Sequence, residues 1–81
     1  MKLYILTYGT NTPRAFESRE DCAYAVAVLL REEEADRLYT EERAAARIAN
    51  AEEEHDEAIF VVDWHYNLVV RVNAVELERR F

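Results

Sequence analysis

The sequence predicts an α+β domain ordered ββααββ: an antiparallel sheet of three to four strands with two helices, or one long bent helix, packed on one face. Three observations predict it. Runs rich in strand formers stand near both ends of the chain, at 3–8, 58–64 and 68–72. The middle, from Ser18 to Glu57, is rich in Ala, Glu and Arg and begins with apolar residues at helical spacing. The only glycine and the only proline, Gly9 and Pro13, fall in one short segment that reads as a turn.

The first strand, 3–8, leads through that turn into a short return strand at 14–17, making a hairpin. Ser18 then stands three residues before Asp21, a pattern that resembles a capping box at a helix start. Cys22, Val26 and Leu29 form one helical stripe, and Ala23, Ala27 and Leu30 a neighbouring one. Both stripes stop at Arg31, but the Glu run that follows favours helix, so the first helix is expected over 19–37. An unbroken helix over 19–54 would run roughly 54 Å, and a compact domain of this size is about 30 Å across. The break is expected at Tyr39-Thr40, where Thr40 caps and Glu41 and Glu42 suit a first turn. The second helix, 41–54, has an alanine-rich face of Ala44, Ala45, Ile48, Ala49 and Ala51 that permits close approach of another element.

The strands 58–64 and 68–72 make a second hairpin through His65, Tyr66 and Asn67. Residues 73–81 fit a strand extension or a short helix capped by Asn73. Alternation puts Phe60, Val62 and Trp64 on one side of the sheet. It puts Ile59, Val61 and Asp63 on the other, with Tyr4, Leu6 and Tyr8 assigned to that second side. Both sides are apolar, so the second is expected to be covered by the chain's tail or by another protein. Arg71 is expected as a cross-strand partner of Asp63.

With 81 residues, the chain reads as one domain, 1–81. At 51% apolar it is not wholly disordered. The longest apolar run, 22–30, is too short to span a bilayer, and the N-terminal residues lack the features of a signal peptide. A cytosolic location is expected, with no membrane partner.

The charge is unevenly placed. Residues 31–57 hold eleven acids against four bases, and the remainder balances, so the whole net charge of −7 sits in this segment. Free nucleic acid would be repelled by it, and a basic protein surface attracted. The candidate partner-binding acids are Glu32, Glu33, Glu34 and Asp36, then Glu41 and Glu42, then Glu52, Glu53 and Glu54. Paired antiparallel, the helices would place these on one acidic surface able to occupy a basic channel meant for DNA or RNA. The plainer account is a solvated face that confers solubility. Trp64 and Tyr66, at the hairpin tip, are candidate interface anchors; the alternative is that Trp64 fills the core.

No catalytic residue, cofactor or metal is assigned. One glycine cannot build a phosphate-cradling loop. Ser18 is accounted for by capping. Cys22, in the first turn of a helix, reads as a small buried apolar residue rather than a reactive thiol. His55, Asp56, Asp63 and His65 lack the tight spacing of a metal site.

The segments Tyr4-Ile5-Leu6-Thr7-Tyr8 and Ala15-Phe16-Glu17-Ser18-Arg19-Glu20-Asp21-Cys22-Ala23 resemble small phage and bacterial domains in which a hairpin leads into a Ser-capped helix. Small size with a concentrated acidic surface is also similar in type to phage-encoded inhibitors of host defence, anti-CRISPR proteins among them. That resemblance implies a nucleic-acid mimic acting in the host cell, and it carries no functional residue across. The leading expectation is a non-catalytic protein-binding module with a basic protein partner, its narrower form being such an inhibitor. The alternative is a homodimer or larger homo-oligomer whose acids only keep it dissolved.

Overall fold

A computed structural model describes residues 1–77. The elements follow the expected ββααββ order: β1 (Lys2–Tyr8), β2 (Arg14–Phe16), α1 (Arg19–Glu32), α2 (Glu41–Glu53), β3 (Ala58–Asp63) and β4 (Leu68–Glu76). The four strands form one antiparallel sheet in the order β2-β1-β4-β3. The first and last strands are therefore neighbours, in register from Lys2 opposite Glu76 to Tyr8 opposite Val70.

Both helices start where their caps predict. The Ser18 hydroxyl accepts from the Asp21 amide at 3.1 Å, and the Thr40 hydroxyl accepts from the Arg43 amide at 3.2 Å. Each cap satisfies one of the amides that a helix start leaves unpaired.

The end of α2 falls within one residue of the expected 54, but α1 stops at Glu32 instead of continuing to 37. Glu34 takes a left-handed conformation (φ 57°). Its amide donates to the Arg31 carbonyl, and the Ala35 amide donates to the Leu30 carbonyl. Helix α2 ends the same way. His55 is left-handed (φ 56°), its amide donates to the Glu52 carbonyl, and the Asp56 amide donates to the Ala51 carbonyl at 2.8 Å. Both ends are Schellman motifs, normally signalled by glycine. Here Glu34 and His55 occupy the glycine positions, so the usual stop signal is missing.

The helices run antiparallel. Arg19, opening α1, reaches Glu52 near the end of α2 at 3.6 Å, and Asp36, just past α1, reaches Arg43 in the first turn of α2 at 3.6 Å. They lie on one face of the sheet. Cys22, Val26 and Leu30 of α1, with Ala44 and Ile48 of α2, pack on Tyr4, Leu6, Phe60, Val70 and Val72. Tyr39, between the helices, meets Phe60 edge-on with centroids 6.1 Å apart. Burying a side chain such as Phe60 stabilises the fold by roughly 1.5–3 kcal/mol.

Register corrects the expected assignment of faces. Leu6 lies opposite Val72, and Val72 lies opposite Ala58. Tyr4 and Leu6 thus share the helix-covered face with Phe60, and Leu3 and Ile5 share the opposite face with Ile59 and Val61. Among the described residues nothing packs over that opposite face.

Two further expectations are corrected. Asp63 stands opposite Leu68 after a register irregularity between Val61 and Asp63, and Arg71 stands opposite Ile59. Arg71 pairs with Glu57 at 2.7 Å instead, because the register that sets Val61 opposite Val69 places Arg71 beside the start of β3 and Asp63 at its far end. The chain after Asn73 extends the strand through Glu76 and is not helical there; the rest of the tail, 78–81, lies outside the described residues.

Candidate functional site

Two regions carry the polar and exposed groups, one at each end of the helical hairpin. At the first end, Tyr8 closes β1, and α1 hands over to α2. Burial pushes the Tyr8 hydroxyl pKa up, and the nearby Glu33 and Asp63 carboxylates add to the shift. The end of α1 and the β3–β4 hairpin are therefore neighbours here. Gly9 belongs to the same end: its backbone is left-handed (φ 56°), and a Cβ there would lie 3.4 Å from the Leu68 side chain.

The β3–β4 turn projects Trp64 and Tyr66 into solvent, at 84% and 82% exposure. The reading that Trp64 fills the core is thus overturned: the strand ends at Asp63, and Phe60 takes the core position. Asn67 turns the chain with a left-handed backbone (φ 52°), as its short side chain tolerates. Asp63 Oδ1 accepts from the His65 amide at 2.9 Å and tightens the turn. Leu38, in the connection between the helices, is 85% exposed. Sequence reasoning missed it, although it lies outside both apolar stripes of α1 and in a polar linker.

The acids at this end differ in their engagement. Glu32, Glu33 and Glu42 are exposed and Glu41 is half-buried. None of these four forms an ion pair among the described residues. Glu34 accepts from Arg37 at 2.9 Å. Asp36 accepts from the Leu38 amide at 3.0 Å and faces Arg43.

The acids 52–54 lie at the second end, so the two triplets are not side by side. The antiparallel pairing puts them at opposite ends of a 13-residue helix, roughly 18 Å apart along its axis. Glu53 and Glu54 are exposed.

Glu52 is not a free surface acid, and its place as a partner-binding residue is corrected. It turns toward the sheet, with a side chain only 17% exposed. Lys2 Nζ donates to its Oε2 at 2.6 Å, and the Tyr4 hydroxyl donates to its Oε1 at 2.7 Å. Arg19 completes the group from the start of α1. The hydrogen bond from Lys2, then that from Tyr4, holds the Glu52 carboxyl below its ordinary pKa. Burial and the bond to Glu52 raise the Tyr4 hydroxyl. Glu52 joins β1, α1 and α2 with both oxygens engaged. A general acid needs its pKa raised, and here the shift runs the other way. Nothing in the spacing reveals this group, since Lys2 and Tyr4 are 50 and 48 residues from Glu52.

Beside Glu52 opens a shallow cleft of about 820 Å³, bordered by Lys2, Arg19, Glu53, His55, Asp56 and Asn73 among others. It mixes both signs of charge. His55 and Asp56 precede β3, whereas Asp63 and His65 follow its start by its whole length, roughly 20 Å. The fold does not bring these four together. Among the described residues no group of three or more His, Cys, Asp or Glu side chains is placed to hold a metal ion.

Cys22 is fully buried, and burial pushes its thiol up to about 11. No helix among the described residues is long and apolar enough to cross a membrane. No protein-family model, curated protein or solved structure matches the chain.

Proposed function

We propose that the chain is a non-catalytic protein-binding module that takes a basic partner at the end carrying Trp64 and Tyr66. The observation that carries this reading is the full exposure of both aromatic side chains beside the end of α1. Trp and Tyr side chains are favoured anchors in interfaces. At the same end of the helical hairpin, Glu32, Glu33, Glu41 and Glu42 supply negative charge that favours a basic surface and speeds its approach. The narrower form of this reading is a phage-encoded, anti-CRISPR-like inhibitor that occupies a nucleic-acid channel of its partner.

The test is capture of a partner from source-cell lysate at low and high salt, with two variants run beside the native chain. One variant is Trp64→Ala with Tyr66→Ala; the other reverses charge at Glu32, Glu33, Glu41 and Glu42. The expected result is a salt-sensitive catch lost with either variant. Release of the catch by added nucleic acid selects the channel-occupying form. An empty catch, or one that survives both variants, overturns the reading.

A second reading is a homo-oligomer whose acids only confer solubility. It is favoured by a different observation, the apolar side of the sheet that no described residue packs over.

A further inference from the structure

We propose that two copies of this chain pack face to face through the open side of the sheet. Six side chains make that side apolar: Leu3 and Ile5 of β1, Ile59 and Val61 of β3, and Val69 and Val75 of β4. Each alternates with a residue of the helix-covered core. In register, Leu3 lies opposite Val75 and Val61 opposite Val69, so the apolar groups adjoin across strands. A sheet side left to water would alternate to polar residues, and this one does so only at a few positions.

Charge selects a second copy as the occupant. The chain carries −7 overall, yet among the described residues this side carries one acid and one base, Glu57 and Arg71. They are joined to each other at 2.7 Å, and Asn73 Nδ2 donates to the other Glu57 oxygen at 3.5 Å. The side is therefore neutral within itself, and an identical side can close on it without burying an unpaired charge. Approaches through the helical layer bring like-charged acids together, since the net charge lies in residues 31–57. Face-to-face packing instead puts the two acidic helical layers about 30 Å apart, with two sheets between them. That exceeds the screening length of about 8 Å at physiological salt. An apolar, internally neutral side also suits a two-fold contact, since each copy offers the same patch.

Area sets the strength. The four strands hold 25 residues, and at about 3.3 Å per residue and a spacing of about 4.8 Å they present roughly 400 Å² per copy. Two copies bury about 800 Å², which is below the standard interface. The expected dimer is reversible, with a micromolar dissociation constant.

The test is sedimentation equilibrium of the full chain from low micromolar to near-millimolar concentration. The expected result is a monomer–dimer equilibrium that added salt does not weaken. Ile5→Lys and Val69→Lys each place a charge in the middle of the patch. Each should weaken the dimer at least tenfold with an unchanged circular dichroism spectrum. Should either variant fail to fold, concentration-dependent amide shifts of the native chain decide, and they should map to β1 and β4 around Leu3, Ile5, Val69 and Val75. A native chain monomeric throughout overturns the proposal, as does a dimer that survives Ile5→Lys in a folded protein. Shifts confined to the outer edge of β3 would assign an edge-to-edge contact and overturn it too. The patch and the Trp64 turn are separate surfaces, so Trp64→Ala should leave the dimer intact; its loss there, with retention in Ile5→Lys, locates the contact at the turn and overturns the proposal.

Discussion

The Tyr4 hydroxyl donates to Glu52 Oε1 over 2.7 Å, tying the first strand to the last turn of α2. Lys2, one pleat away on the same side, holds the other oxygen. The group lies at the open end of the helical hairpin, where α1 begins and α2 finishes, and there it takes the place of apolar packing.

Removing it should therefore cost stability. Tyr4→Phe leaves one carboxylate oxygen short of a donor and should destabilise by roughly 1–2 kcal/mol; Glu52→Ala strands the Tyr4 hydroxyl and should cost about 1–3 kcal/mol. Urea unfolding checks both. The pH dependence follows from the depressed Glu52 pKa. A group whose folded value lies below its unfolded value stabilises the fold above the unfolded value and loses that effect as pH falls through the folded one. Native stability should fall as pH drops below about 4.5, and Glu52→Gln should flatten that fall.

His55→Gly should stabilise the protein. His55 is left-handed at the end of α2, where a side chain strains the backbone and glycine does not. The expected gain is about 0.5–1 kcal/mol, or a rise in Tm of roughly 2–8 °C. Thermal unfolding by circular dichroism checks it. A loss of stability would mean that the imidazole contributes more than the backbone strain costs.

The Cys22 thiol should be inert in the folded protein. It is fully buried, and its pKa near 11 leaves almost no thiolate near neutral pH. A thiol-specific reagent at about pH 8 should react only in denaturant. Fast labelling of the native chain would show that α1 opens readily.

Trp64→Ala should leave stability within about 0.5 kcal/mol of the native value, because the side chain is almost wholly in water. Any loss of partner capture in this variant is then a loss of contact and not of fold. Native Trp fluorescence should sit at the wavelength of a solvated indole.

The chain order of strands and helices was determined by local chemistry. Ser18 and Thr40 announce helix starts because a hydroxyl must meet an amide two or three residues on, and Gly9 and Asn67 mark turns because few residues tolerate a left-handed backbone. Alternation made both sides of the last hairpin apolar, which is a property of neighbours in sequence. The end of α1 at Glu34 was hidden because the residue present there is not the glycine that usually reports it, whereas the end of α2 was placed to within one residue. The candidate acids were visible as runs, but which of them are free was not. Glu52 looks like Glu53 and Glu54 in the sequence, and it became a half-buried anchor only when the pairing of β1 with β4 and of α1 with α2 carried Lys2, Tyr4 and Arg19 to it. Trp64 likewise went to solvent because Phe60 filled the core and the register slipped before Asp63. Caps, turns and period act over a few residues, so the sequence alone determined them. Which carboxylate is held, which side of the sheet stays open and which aromatic is exposed depend on contacts between distant segments, and only the tertiary structure decided those.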